Sequence, residues 1–361
     1  FETIDANCRH KNINFPGHEH ASLYDIALIE PAIHNMLLNK GIEVKMQARM
    51  KDVKMDGQKI TAVVLTDGQE ITGDVFLDCT GTAGPMGNCG KYGNGCACCV
   101  LRCPSFGGRV SLVGQAGIEE KMGKKGDGSI GAMSGSCKLM KESLAPEITE
   151  KLNATGVAVI PIPEHLRKGE GILATKACQQ YALKEFAENI ILLDTGHAKL
   201  MTPYYPVEML HQVPGFENAR FEDPYAGGKG NSMRYMALAP HTNDLKVTGL
   251  ENVFCGGEKA GLLVGHTEAI VTGTLAGHNA VRYMLGKELL VLPTDLAIGD
   301  AISYVNAAME TEEGICKKYT FSGSVYFNRM KELGLYTTEI SEIKAKVEKD
   351  GLTGVFSQKL A

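Results

Sequence analysis

Residues 248–277 constrain the fold more than any other part of the chain, because they have the pattern of a strand, a glycine turn and a helix. Residues 253–255 are the apolar run Val-Phe-Cys, which has the composition of a buried strand. Gly256 and Gly257 follow directly, and glycines allow a tight turn and a close approach of the backbone to a ligand. The apolar and glycine-rich sequence after residue 262 continues without a proline, which predicts a buried helix.

The start of this predicted helix is a candidate ligand site. A helix N-terminus carries unpaired N–H groups and a partial positive charge, so it suits a phosphate or an electron-rich ring. We therefore expect the turn after Gly257 to face a bound cofactor.

The strand, glycine pair and helix resemble the second FAD-binding segment of two-dinucleotide-fold flavoproteins. The upstream sequence QVPGFENARF, residues 212–221, and the order VPG, LENVF, GG, G, G, TLAG are similar to the GidA and folate-dependent tRNA-uracil methyltransferase flavoprotein family. The resemblance implies an α/β fold: an FAD/NAD(P)-binding Rossmann-like domain of the glutathione-reductase type, an inserted cap or substrate domain and a helical tail.

The resemblance also implies which residues bind FAD. Glu258 would hydrogen-bond the ribityl chain, and the turn at Thr80 and Gly81 would approach the pyrophosphate and adenosine. Met50 would contact the adenine through its backbone, and the helix start near Gly265 would face the flavin pyrimidine. The implied cofactor-binding residues are Met50, Thr80, Gly81, Gly256, Gly257, Glu258, Gly261, Gly265, His266 and Thr267.

His266 is the candidate catalytic residue. It stands at the predicted flavin-facing helix start, and a histidine titrates near neutral pH, so it suits hydrogen bonding or proton donation to the reduced flavin. The alternative is a polar helix-start residue without a chemical role.

Four regions are predicted along the chain. Residues 1–84 and 248–285 form the two parts of the FAD-binding domain, residues 85–247 form the inserted domain with a cysteine-rich loop, and residues 286–361 form the helical tail. The G-x-G-x-x-G fingerprint that opens a Rossmann unit is absent from the first hundred residues. We therefore expect an upstream segment, or another chain, to supply it.

Hydrophobic periodicity predicts a set of local elements. A proline at position 31 falls inside the first predicted helix and predicts a helix start or a kink there. The predicted strands are residues 41–46, 48–53, 59–66 and 69–77, and the predicted helices are residues 24–39, 173–188, 300–310 and 339–349.

Five of the eleven cysteines fall between positions 89 and 103. The spacing of Cys96, Cys99 and Cys103, with a proline following, is that of a ferredoxin-like run. With Cys89 as the fourth ligand, the segment predicts a [4Fe–4S] cluster. A zinc site with four thiolates, a redox pair among Cys96, Cys98 and Cys99, and a set of buried thiols remain alternatives. The similar family does not carry such a cluster, which puts its reaction in doubt for this chain.

Composition narrows the class of protein. The chain of 361 residues is 44% hydrophobic and 22% charged, has no run of 18 apolar residues and opens with no secretory signal. We expect a cytoplasmic protein that is not bound to a membrane. The net charge of −5 argues against a nucleic-acid partner.

These observations predict an FAD-dependent oxidoreductase that passes electrons between flavin and an iron–sulfur cluster. The expected partner is a small-molecule substrate or a redox protein, and a homo-oligomer or a complex with a chain supplying the missing segment stays open. Two alternatives remain: a folate- and FAD-dependent RNA uracil methyltransferase, and an electron-relay subunit of a larger complex.

Overall fold

The computed structural model describes residues 1–81, 110–130, 132–134, 137–175, 181–203, 205–222, 232–234 and 236–361. The strands are β1 Cys8–Phe15, β2 His18–Tyr24, β3 Met50–Asp56, β4 Lys59–Leu65, β5 Glu70–Thr72, β6 Phe76–Asp78, β7 Lys121–Met122, β8 Ala132–Ser134, β9 Cys137–Leu139, β10 Val157–Pro161, β11 Asn189–Asp194, β12 Ala198–Leu200, β13 Ser232–Arg234, β14 Ala237–Leu238 and β15 Val253–Cys255. The helices are α1 Glu2–Ala6, α2 Ile26–Asn39, α3 Leu112–Gln115, α4 Pro146–Thr155, α5 Glu185–Glu188, α6 Val207–Leu210, α7 His266–Met284, α8 Ala297–Ala308, α9 Ser324–Glu332 and α10 Ile340–Lys349.

The chain divides into two compact units. The first comprises residues 1–47, 94–107 and 133–233, and the second comprises residues 48–93, 108–132 and 234–361. The two units are defined by contacts within the chain. The four predicted regions are defined by cofactor and substrate binding, which the contacts do not test, so the regions stay a prediction.

An antiparallel sheet in the order β10-β11-β12-β9 forms the centre of the first unit. Its strand β11 has apolar side chains on both faces, which is why it is buried along its length. Ile190 and Leu192 point into the cluster that includes Leu152 of α4. Ile191 and Leu193 point into the opposite cluster, with Phe15 from the β1–β2 hairpin. The sheet therefore lies between a helix and a hairpin.

The second unit combines an antiparallel meander with a parallel pair of strands. Strands β3, β4 and β5 form the meander, and β6 pairs with β15 in parallel, with Cys255 opposite Asp78. Asn252 joins the two sheets: its Nδ2 donates to the carbonyls of Ile60 and Asp74, each at 2.8 Å, and its Oδ1 accepts from the amide of Ile60 at 3.0 Å. The amide at position 252 therefore sets the meander against β15.

Several predicted elements are confirmed. α2 continues through Pro31, and since none of its residues is buried, water can reach the carbonyl that the proline leaves without a donor. The hairpin of β3 and β4 and the tail helices α8 and α10 lie where periodicity predicts them. α9 was not predicted.

Two predicted elements are wrong. Residues 41–46 form no strand, because their alternating side chains meet no partner strand among the described residues. The predicted helix over residues 173–188 is a short 3₁₀ turn to Thr175 and the four-residue α5, with residues 176–180 outside the described part. Tyr181 stacks on His18 with ring centroids 5.0 Å apart, and this packing overrides the helical periodicity.

His18 gives the first unit a pH-dependent stability. Its ring stacks on Phe15 at 4.6 Å, and burial lowers the pKa of His18 to about 4, so the unfolded chain takes up a proton first as pH falls. The free energy of unfolding should therefore decrease by up to about 3 kcal/mol as pH falls from about 6.5 to about 4. His18→Phe keeps the stacking and should remove most of this decrease in urea unfolding at several pH values.

His165→Gln is the matched control, because His165 is an exposed histidine of the same unit. An equal pH dependence in wild type and His18→Phe would show that His18 does not carry the effect.

Candidate functional site

The candidate site is the crevice beyond the carboxyl ends of β6 and β15. In parallel sheets, ligands bind outside the carboxyl ends of neighbouring strands. Thr80 and Gly81 follow β6, and Gly256 and Gly257 follow β15, so the strand pairing brings these four predicted cofactor residues together. The amide of Gly256 donates to the carbonyl of Asp78 at 3.1 Å and extends the pairing into the crevice.

Glycines let helix α7 approach the turn after β15. A Cβ added to Gly256 would lie 3.0 Å from the Cα of Gly273, so the backbones touch where neither residue has a side chain. Thr272 reinforces the contact: its hydroxyl accepts from the amide of Gly257 at 2.9 Å and donates to the carbonyl of Glu268 at 2.8 Å. The first turns of α7 are therefore fixed beside the crevice.

The glycine turns leave room on their ligand side. Gly81 and Gly257 both have positive φ, +68° and +67°, which favours glycine. Among the described residues, a Cβ at Gly81 would meet no atom within 4 Å, and one at Gly257 would meet the Cβ of Ala269 at 3.8 Å. A flat or extended ligand can therefore lie against the backbone here, as the FAD prediction requires.

The predicted flavin-facing residues lie at the start of α7. Gly265 caps the helix, His266 and Thr267 are its exposed first residues, and Glu258 is half-buried in the turn before it. Gly261 has φ +146° and packs against Met309. Met50, by contrast, begins β3 and pairs with Leu65, outside the strand ends that form the crevice. The cofactor roles of all these residues remain predictions.

Asp78 is a site residue that the sequence pattern did not single out. Its carboxylate is fully buried. Oδ1 accepts from the amide and hydroxyl of Thr80 at 3.0 and 2.6 Å, and Oδ2 accepts from the amide of Val113 at 3.0 Å. Asp78 therefore holds the Thr80 turn and the start of α3 together. The signal in the sequence is an aspartate at the end of a strand, two residues before Thr80 of the T-G turn.

A buried ion pair fixes the turn after the glycine pair. The Nζ of Lys259 bonds to the carboxylate of Glu120, and both side chains are almost fully buried. Ser111 donates to the same carboxylate oxygen at 2.7 Å. His241 supports the turn from another side, with its Nε2 2.5 Å from the carbonyl of Ala260, and burial lowers the pKa of His241.

Glu268 is a buried carboxyl group in the first turn of α7. Only 3% of Glu268 is exposed, and burial raises the pKa of its carboxyl group. Its Oε1 accepts from the amide of Phe321 at 2.6 Å. Glu268 thus connects the start of α7 to the segment before α9.

The predicted metal ligands Cys89, Cys96, Cys99 and Cys103 lie outside the described residues. Within the described ranges, no group of three or more His, Cys, Asp or Glu side chains is arranged to hold a metal ion. Cys255 is fully buried, as expected for a small apolar residue in a strand, whereas Cys79 is exposed.

Two family models match the chain. The model described as glucose inhibited division protein A matches residues 186–288, and the model described as FAD dependent oxidoreductase matches residues 2–88. Two structures of GidA from Aquifex aeolicus have the same fold: each covers 96% of this chain, at TM-scores of 0.55 and 0.52 and 14% and 13% identity. Over these two segments the chain is similar to the GidA/TrmFO-like family of FAD flavoproteins. Its fold is accordingly α/β and of the FAD-binding Rossmann-like type.

Two curated relatives of the chain are tRNA-modifying enzymes by name. The methylenetetrahydrofolate–tRNA-(uracil-5-)-methyltransferase TrmFO of Anoxybacillus flavithermus is 32% identical over 101 residues, which cover 28% of this chain and 23% of that protein. The tRNA uridine 5-carboxymethylaminomethyl modification enzyme MnmG of Chlorobaculum tepidum is 37% identical over 90 residues, covering 24% and 14%. The matches thus span less than a quarter of either relative.

The comparisons support FAD as the cofactor and give no support to an iron–sulfur or zinc centre. Among the described residues, no helix has the length and apolar character needed to cross a membrane.

Gly256 provides a test of the close approach of α7. In Gly256→Ala, the added methyl group would press on the backbone of Gly273, and we expect a loss of about 1–3 kcal/mol in the free energy of unfolding. Gly277→Ala, one turn further along α7, is the control: its nearest neighbour is Leu77 at 4.0 Å, and alanine favours a helix interior by about 1 kcal/mol. Chemical denaturation of the three proteins measures both changes, and similar stabilities would refute the contact.

Proposed function

We propose that this flavoprotein binds FAD in the crevice beyond β6 and β15 and modifies C5 of uracil in RNA, with a methylene-bearing folate as the carbon donor. The observation that supports FAD binding is the space beside the glycine turns at Gly81 and Gly257, next to the start of α7, where a ligand can lie against the backbone. The names of the relatives support the second part, since both describe modification of uracil or uridine in tRNA.

The site residues fit FAD. The backbone at Gly81 and Gly257 allows an extended dinucleotide to approach closely, and the positive end of the α7 dipole favours electron density at a ring. Glu258 would hold the ribityl chain, and Asp78 keeps the Thr80 turn in place beside it. FAD supplies, when reduced and bound, the electron pair that the reaction requires.

The balance of the proposed reaction defines what the protein must do. The folate methylene carbon forms a bond to C5, its two bonds to folate nitrogens break, and a hydride (two electrons and one proton) completes the methyl group. The C5 proton is released and one further proton is taken up, so that tetrahydrofolate leaves with an N–H at each of those two nitrogens. A reduced nicotinamide is the source of the electrons. The protein must therefore exclude water from the crevice and accept one proton. His266 is the proposed proton acceptor, because it is an exposed imidazole at the start of α7.

The net charge of −5 counts against a broad RNA-binding surface and remains the main argument for the alternative, an oxidoreductase that acts without RNA. The iron–sulfur form of that alternative depends on cysteines outside the described residues.

The test uses the purified protein with FAD, a reduced nicotinamide, methylenetetrahydrofolate and an unmodified tRNA transcript, under anaerobic conditions. We expect mass spectrometry of the digested RNA to find a methyl group on uridine, dependent on folate and on flavin. His266→Gln should retain the flavin spectrum and lower the rate by about 10²-fold or more, which is the contribution of a positioned base. His165→Gln is the control.

Two results would contradict the proposal in different ways. A protein that takes up no FAD would refute the site. A flavin-bound protein that oxidises the nicotinamide equally with and without RNA, and leaves uridine unmodified, would favour the oxidoreductase alternative.

A further inference from the structure

A glycine- and lysine-rich loop lies in the second unit and has no part in the proposed flavin site. We call residues 123–130, Gly-Lys-Lys-Gly-Asp-Gly-Ser-Ile, the lysine loop. Its ends pair as an antiparallel bridge between Lys124 and Ile130, and its turn is closed by bonds from the amide of Lys125 to the carbonyl of Ser129 at 2.7 Å and from Gly128 to Lys125 at 2.8 Å. The loop is therefore an ordered turn with two adjacent lysines.

Lys318 lies beneath this loop as a buried cation. It is only 3% exposed, and its Nζ donates to the carbonyl of Lys124 at 2.9 Å and, more weakly, to that of Lys317 at 3.4 Å. The amide of Lys124 in turn donates to the carbonyl of Ile315 at 3.0 Å. Lys318 thus fixes the first residue of the turn to the segment before α9.

Within the described ranges, Lys318 has no carboxylate partner, unlike three other cations whose side chains are at most 31% exposed. Lys259 pairs with Glu120, Lys141 with Asp194, and Arg329 with Asp300. No carboxylate of the described residues lies within 4 Å of the Nζ of Lys318, and its bonds to carbonyl oxygens leave its charge uncompensated. A buried charge without a counter-ion is costly, so an anion that reaches the loop would gain from its field.

The loop itself presents groups that bind anions. None of the carboxylates in the described ranges pairs with Lys124 or Lys125, and the amide of Gly126 donates to no described acceptor. Cβ atoms at Gly126 and Gly128 would meet no atom of the described residues within 4 Å, so a ligand can approach the backbone closely. The carboxylate of Asp127, at the tip of the loop, would repel an anion. Its Oδ1, however, accepts hydrogen bonds from the amide of Ser129 at 2.8 Å and from the hydroxyl of Ser129 at 2.5 Å.

We propose that the lysine loop and Lys318 form a phosphate-binding site, in which Lys124, Lys125 and the amide of Gly126 contact the phosphate and Lys318 is a positioning residue beneath it. Ammonium groups and free amides in a glycine-rich turn are donors suited to phosphate oxygens. The phosphate belongs to an RNA backbone or to a nucleotide cofactor. The site uses none of the residues assigned to FAD, and the proposal does not depend on the proposed function.

The charge on Lys318 gives the site a pH signature. Burial lowers the pKa of Lys318 to about 8, so it is mostly charged at neutral pH and loses its proton as pH rises through that value. Lys317, its neighbour, is paired with Glu313 and keeps its charge, and Asp127 stays ionised, because hydrogen bonds from Ser129 lower its pKa. Phosphate affinity should therefore fall as pH rises from about 7 to about 9.

The experiment measures pyrophosphate binding by calorimetry and by the shift in melting temperature, at constant ionic strength set with chloride. Lys124→Gln combined with Lys125→Gln should weaken binding by about tenfold or more, equivalent to about 1.4 kcal/mol. The matched control is Lys59→Gln combined with Lys344→Gln, which removes two exposed lysines elsewhere in the same unit and should bind as wild type.

The substitution Lys318→Met tests whether the charge of Lys318, and not only the packing of its side chain, supports phosphate binding. Methionine keeps the length and apolar stem, so we expect a folded protein with weaker pyrophosphate binding and no decrease in affinity between pH 7 and pH 9. The affinities of NADPH, NADH and a short RNA then identify the source of the phosphate. If the Lys124/Lys125 substitutions weaken binding of the RNA alone, the site binds a backbone phosphate. If they weaken binding of the nucleotides, the site binds a nucleotide cofactor.

Equal pyrophosphate affinity in the Lys124/Lys125 variant and its control would overturn the proposal, as would wild-type protein that pyrophosphate does not stabilise. A Lys318→Met protein with unchanged affinity and pH profile would remove Lys318 from the site.

Discussion

The arrangement of the candidate site depends on one backbone contact, between Gly256 in the turn after β15 and Gly273 in α7. Side chains at both positions would hold the helix further away, and the 2.9 Å bond from Gly257 to Thr272 would not form. Because Thr272 also donates to the carbonyl of Glu268, the same hydroxyl joins the turn to the first turn of the helix. The direction of α7, and hence what its amides face, follows from the absence of two Cβ atoms.

Two buried carboxylates, Asp78 and Glu120, hold the segments around the crevice in place together with the glycine contact. Asp78 accepts from the turn at Thr80 and from Val113, and Glu120 accepts from Ser111 and Lys259. A carboxylate is costly to bury, but several donors converging on it offset that cost and leave one favoured geometry. These two residues join segments that are distant in the sequence but meet at the crevice.

The sequence predicted the parts of the fold that follow from local pattern. The strand, glycine pair and helix around Gly256, the β3–β4 hairpin and the tail helices were predicted because apolar spacing and turn residues act over a few positions. The strand over residues 41–46 was predicted wrongly, since alternation alone cannot supply a pairing partner. Asn252 and Asp78 were not predicted as organising residues, because their partners lie up to 192 residues away.

The two family matches, residues 2–88 and 186–288, include β6 with its T-G turn and β15 with α7, which are the elements around the crevice. Cofactor binding by this fold uses backbone amides and glycines at fixed offsets from strand ends, so it leaves a readable pattern in the sequence. Substrate recognition uses individual side chains on loops, which carry no such pattern. The segment between the two matches, residues 89–185, holds the cysteine-rich stretch and the lysine loop, so these two features lie outside the parts of the chain that resemble the matched families.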